Sequence, residues 1–132
     1  MIDYFEYAEN RGIDIYYDNI PQCKSIALSN CVCLDASLIF GGAEERTRAV
    51  HEIAHVETGA FYSRDTSYSL RTLSECRANR KSYQIAVPWS DLANDVHSGY
   101  TEPCELAERF GVTEDFMRRA IAYYLGPCGY KF

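Results

Sequence analysis

This chain has no long apolar run and no surplus of positive charge, and each shortage removes a class of function. None of its hydrophobic stretches approaches the roughly 20 residues that a membrane-spanning helix needs. Its first residues, Met-Ile-Asp-Tyr-Phe-Glu, carry neither the basic start nor the apolar stretch of an export signal, so a cytoplasmic protein is expected. Lysine and arginine number 13 against 19 acidic residues, a net charge of −6, which argues against a general phosphate-binding surface. Internal repeats and low-complexity segments are also missing. Cysteine is not scarce, at six, but no two form a Cys-x-x-Cys pair. Without an export signal, free thiols are expected rather than a disulfide framework. Cys31 and Cys33 alternate along an expected strand, so both point to one face. With Cys23 they make a weak second metal set, and small buried hydrophobes are the ordinary role for such residues. What remains is 132 residues, 47% hydrophobic and 14% aromatic, enough for one domain or for a core with a small appendage. Eleven tyrosines suit half-buried walls and clefts.

Of only three histidines, two fall in His51-Glu-Ile-Ala-His55. On a helix, residues four apart share a face, so these two imidazoles can grip one metal ion. Glu52 projects about 100° around the axis from His51. Its carboxylate then lies beside the metal, placed to hold and deprotonate a water. That is the working geometry of the His-Glu-x-x-His zinc peptidases. The flanks suit a helix: Glu44 and Glu45 occupy its first turn, and Val50, Ile53 and Ala54 form an apolar side away from the histidines. The bland reading is a solvated helix that happens to carry this pattern.

The rest of the chain reads as α+β. A helix over 3–11 carries Tyr4, Phe5 and Ala8 on one face and stops at Gly12. Ile13–Tyr17 reads as a strand, followed by a turn through Asp18, Asn19 and Pro21. Ser25–Leu28 and Cys31–Leu34 form a hairpin about Ser29-Asn30. After Ser37–Phe40, Gly41-Gly42 breaks the chain before the metal helix, 44–58, which Gly59 ends. A polar loop, Tyr62–Tyr68, leads to a helix over Ser69–Val87, stopped by Pro88. Three helices follow: Ser90–His97, Glu102–Phe110 and Thr113–Leu125, the last capped by Thr113 with an acidic first turn. The expectation is a small antiparallel sheet with the metal helix and a facing helix in residues 1–88. A helical segment, 89–132, packs on that core.

Two histidines do not hold a catalytic zinc; a third protein ligand is needed, with a fourth position open to water. A third histidine six residues beyond the second is excluded, because Phe61 stands there. His97, Cys76, Asp65, Glu57 and Glu75 are the candidates. Glu57 points away from both imidazoles on the same helix. Cys76 points about 100° from Glu75, and His97 stands in a polar segment. Glu75 is the best placed, on a second helix twenty residues after His55, with Asn79 one turn further along the same face. Asn79 there can hydrogen-bond a ligand imidazole and fix its tautomer. The residues alone leave Glu75 equally open to a surface role, paired with Arg71 or Arg80.

His51-Glu-Ile-Ala-His55, Glu75-Cys-Arg-Ala78-Asn79 and the apolar stretch reaching Val87-Pro88 together resemble the ImmA/IrrE metallopeptidases. The likeness extends to Gly12-Ile-Asp14 upstream and to the Glu105–Phe116 run downstream. Its specific part is Glu-x-x-Ala-Asn, since His-Glu-x-x-His occurs in many peptidase families. The chain departs from the family's usual Leu-Pro only by having Val87 before Pro88. The resemblance implies a zincin-type fold with Zn2+ held by His51, His55 and Glu75. It implies a cytosolic bacterial or mobile-element peptidase that cuts a helix-turn-helix repressor, derepressing phage, mobile-element or stress genes. Glu52 is then the base, and Tyr62, Tyr83, His97 and Tyr100 are candidate donors to the oxyanion. The helices around Gly111-Val112 also look like a helix-turn-helix, with Arg109, Arg118 and Arg119 as cations. The competing reading is therefore a DNA-binding or antitoxin-like regulator with a non-catalytic metal. The acidic chain makes direct DNA binding the weaker expectation.

Overall fold

The computed structural model describes residues 1–20, 23–39, 41–63 and 65–132. Pro21 in the first expected turn, Phe40 before Gly41 and Arg64 in the polar loop lie outside those residues. Helix α1 (Tyr4–Glu9) begins at Asp3, whose carboxylate accepts from the Phe5 and Glu6 amides at 3.1 and 3.2 Å. Tyr4 and Ala8, one turn apart, are buried, but Phe5 is exposed. The expected three-residue face was one residue too wide, because Phe5 lies about 100° around the axis from Tyr4.

Strands β1 (Asp14–Asp18), β2 (Ser25–Ala27) and β3 (Cys31–Asp35) form one sheet in the order β1-β3-β2. The hairpin about Ser29-Asn30 is present, closed by the Leu28 amide donating to the Cys31 carbonyl at 2.8 Å. The sheet is nevertheless mixed, not antiparallel, since β1 runs parallel to β3 with Ile15 opposite Val32 and Tyr17 opposite Leu34. The reason lies in which strand can form a buried centre. Val32 and Leu34 of β3 are both fully buried, whereas β2 is three residues long and turns only Ser25 and Ala27 inward. β3 therefore takes the middle. After two reversals of direction it runs as β1 does.

A short 3-10 turn (Ala36–Leu38) leads to α2 (Ala43–Thr58), whose Ala49, Val50, Ile53 and Ala54 are fully buried. Tyrosines on two neighbouring elements fix this helix at both ends. The Tyr17 hydroxyl donates to Glu45 at 2.6 Å, and the Tyr7 hydroxyl donates to Glu57 at 2.8 Å. Gly59 ends α2 with φ 64°, and its N–H turns back to the carbonyls of His55 and Val56. Helix α3 (Tyr68–Ala86), capped by Ser67, packs against α2 more extensively than any other pair of elements meets. Val87-Pro88 stops it as expected.

Helices α4 (Trp89–His97), α5 (Pro103–Phe110) and α6 (Glu114–Leu125) complete the chain. One continuous apolar cluster runs from Tyr4 through Ile53, Ala78 and Leu92 to Met117 and Tyr124. The Tyr124 hydroxyl donates to the Val87 carbonyl at 2.7 Å, tying α6 to the end of α3. No helix among the described residues is long and apolar enough to cross a membrane. The α5–α6 turn is pinned to α2 from both sides: Arg46 donates to the Gly111 carbonyl and the Thr113 amide donates to Thr47 Oγ1, each at 3.1 Å. Gly111 itself has φ 69°, and a Cβ there would press on the Arg46 guanidinium and on Met1 Sδ. Gly111→Ala is expected to cost at least about 1–2 kcal/mol, the ordinary penalty of a left-handed L-residue. Urea unfolding measures it, and an unchanged midpoint would show that this docking contributes little.

Candidate metal centre

His51 and His55 stand one turn apart on α2, and Glu75 meets them from α3. The His51 and His55 Nε2 atoms are 3.2 Å apart. Glu75 Oε2 lies 3.2 Å from His51 Nε2, and its Oε1 lies 3.3 Å from His55 Nε2. A tetrahedral ion with bonds of about 2.0–2.2 Å holds its ligand atoms roughly 3.3–3.6 Å apart. Three donors already near that spacing fit such an ion. They are the one group of three among the described residues able to hold a metal.

Protons in the site point the same way. His55 Nδ1 lies 2.6 Å from the Ala60 carbonyl, which can only accept, so Nδ1 carries a hydrogen and Nε2 is the nitrogen left to face a metal. This contact exists because Gly59 turns the chain back over the end of α2. Burial, followed by the neighbouring His55, pushes the His51 pKa below 6.5, so its lone pair is free of a competing proton at neutral pH. Glu52 is buried next to the pair, and Ser25 Oγ donates to its Oε1 at 3.3 Å. Burial raises the Glu52 pKa above its ordinary 4.5, against the pull of His55. This is the environment of a carboxyl tuned to accept a proton.

Some partners differ from those expected. Asn79 lines the cleft with His51, Glu52 and Glu75. Neither imidazole is bonded to it; the Ala60 carbonyl orients His55 instead. A backbone carbonyl leaves no side-chain pattern, and the only trace of it in the chain is Gly59, four residues after His55. Glu75 does not pair with Arg80; it accepts from the Tyr62 hydroxyl at 2.7 Å. That bond is the first cause of a raised Tyr62 pKa. Tyr62→Phe is expected to lower zinc affinity about 10–100-fold, the usual effect of losing a group that holds a ligand. A competition titration with a zinc chelator reads it, and unchanged affinity would show that Glu75 needs no such support.

The other candidates lie elsewhere. Glu57 is held by Arg11, Lys81 and Tyr7, and His97, Asp65 and Cys76 are exposed. Tyr100 lies against the Arg109 guanidinium, 4.0 Å from its ring centre, and Tyr83 packs its ring edge against Phe116. All six cysteines are free thiols, as expected. None is fully buried, and Cys23, Cys31 and Cys33 form no three-ligand group among the described residues. Cys31 and Cys33 occupy the face of β3 opposite Val32 and Leu34, so they stay half exposed. The three expected DNA-facing cations are engaged by carboxylates: Arg109 with Asp95, Arg118 with Glu114 and Arg119 with Asp115.

Two cavities flank the triad. One, of about 650 Å³, lies between α2, α3 and the start of α6; the other, of about 200 Å³, lies against β2 and the Ala60–Tyr62 loop. Both include Ser25, Glu52 and Glu75, so together they make a cleft with the triad at its waist. Comparison of the chain with family models, with curated proteins and with solved structures finds no match in any of the three.

Proposed function

We propose that this chain is a zinc-dependent endopeptidase that cuts a helix-turn-helix repressor, the activity its resemblance to the ImmA/IrrE peptidases implies. The observation that carries the reading is the convergence of two imidazole nitrogens and a carboxylate oxygen at tetrahedral spacing, with the buried Glu52 carboxylate beside them. That donor set suits zinc and leaves a fourth position for water. A bound ion supplies the Lewis acidity that makes water a usable nucleophile near neutral pH. Glu52 takes the proton of the attacking water, held in place by the Ser25 hydroxyl, and delivers it to the leaving amine.

The cleft offers a peptide a place to lie. The Asp35 amide donates to the Lys24 carbonyl, and the Leu28 amide donates to that of Cys31. By the alternation of an antiparallel ladder, Ser25 and Ala27 then turn their own N–H and C=O groups to the free edge of β2. An extended substrate can pair there as an added strand across the waist. The half-exposed Tyr62 phenol lines the β2 end of the cleft, and it can donate to the developing oxyanion by turning its one hydrogen away from Glu75. The ion-paired arginines of α5 and α6 favour a packing and cleft role over reading DNA.

The test is incubation of zinc-loaded protein with any helix-turn-helix repressor encoded near its gene, followed by mass spectrometry. One discrete cut is expected, lost on chelation. An intact repressor, or tight and salt-resistant binding of the adjacent promoter by this chain alone, would favour the regulator instead.

A further inference from the structure

The two ends of the cleft differ threefold in size and also in chemistry. The larger end is floored by Tyr83 and Phe116, both buried, with ring centroids 5.2 Å apart and planes at 63°. Its volume of about 650 Å³ falls within the rough 300–1,000 Å³ range of pockets that enclose small molecules, and the 200 Å³ end falls below it. At the rim of the larger end, Arg48 lies 3.8 Å from Glu44 and Arg119 lies 3.1 Å from Asp115, so cations and carboxylates alternate. Such a rim has no sign to select by. The smaller end is walled by Ala27, Ala60 and Phe61.

We propose that α6 forms the specificity wall of the cleft. The end floored by Phe116 takes a bulky apolar side chain on one side of the cut bond, and the β2 end admits only a small one on the other. The C-terminal helices thereby select substrate. Their placement depends on the bonds from the α5–α6 turn to Arg46 and Thr47, which hold the start of α6 over the N-terminal half of α2. The inference rests on the peptidase reading of the same cleft.

Peptide hydroxamates test it by binding alone, since the hydroxamate group chelates zinc. Two matched series carry glycine, alanine, leucine or phenylalanine on one side or the other of the hydroxamate. Their affinities for the zinc-loaded full chain are measured by calorimetry. One series should tighten with side-chain size by about tenfold or more from glycine to leucine, the discrimination expected of an apolar pocket, and the other should weaken. Phe116→Trp should reverse much of the rise without affecting the glycine compounds. Asp115→Trp fills the same end from an exposed position and serves if the buried substitution unfolds the protein. Series that respond alike to size, or a rise that both variants leave intact, would overturn the proposal. Failure of every hydroxamate to bind zinc-loaded protein would instead overturn the metal-centre reading beneath it.

Discussion

Glu52→Gln is expected to lower peptide hydrolysis by about 10²–10⁴-fold while leaving zinc bound and the fold more stable at neutral pH. Glutamine keeps the shape and the oxygen that accepts from Ser25 but cannot take a proton. The stability gain follows from burial, which raises the carboxyl pKa of the folded state above 4.5. Between 4.5 and that raised value the folded state holds a proton that the unfolded chain has released. Stability therefore falls as pH rises through this window and stays lowered above it, once the buried carboxyl has ionised. The glutamine variant escapes the loss. Its advantage should be absent below pH 4.5 and open above it, which melting of metal-free protein against pH would follow. A variant less stable than the parent at neutral pH would mean that the carboxylate is held by attraction and not against its own desolvation.

Glu75→Ala is expected to have the second large effect, reducing bound zinc from about one ion per chain to a small fraction, because two imidazoles alone leave the site short of a ligand. Tyr62 loses its acceptor in the same step. The informative control is Glu57→Ala on the same helix as the two histidines. Its carboxylate is held by Tyr7, Arg11 and Lys81, so that variant should lose stability and keep its zinc. Elemental analysis after gel filtration separates the two. Full occupancy in Glu75→Ala would move the third ligand to another residue and undo the geometry of the cleft's waist.

The helix that carries His51 and His55 was legible because its signals are local. A four-residue histidine spacing, an acidic first turn and a terminal glycine each act within one or two turns of backbone. The same holds for the Ser29-Asn30 hairpin and for the Thr113 cap of α6. The facing Glu75 depends on how α3 crosses α2, which no local pattern states. Residue spacing ranked Glu75 first but left it even with a surface role, and the resemblance of Glu75–Asn79 to a known element tipped the reading towards a ligand. What stayed hidden is tertiary. The parallel pairing of β1 with β3 follows from which strand buries Val32 and Leu34. The orientation of His55 depends on a main-chain carbonyl, at Ala60. Nor does any spacing tell that Phe116, sixty-one residues beyond His55, floors the cleft beside His51. The cysteines differ from expectation for a similar reason: alternation puts Cys31 and Cys33 on one face, but only the packing of α2 decides which face is covered, and theirs is left half exposed.

Cleavage in isotopic water tests metal-dependent hydrolysis by this cleft most directly. Zinc-loaded protein is incubated with a peptide library and with helix-turn-helix repressors in water enriched in oxygen-18, and new C-termini are read by mass spectrometry. New termini are expected to carry one heavy oxygen from solvent and to be enriched for a bulky apolar residue on one side of the cut. They should be absent after chelation and in Glu52→Gln. Termini formed equally by Glu52→Gln, or none formed by the zinc-loaded parent, would contradict metal-dependent hydrolysis by this cleft.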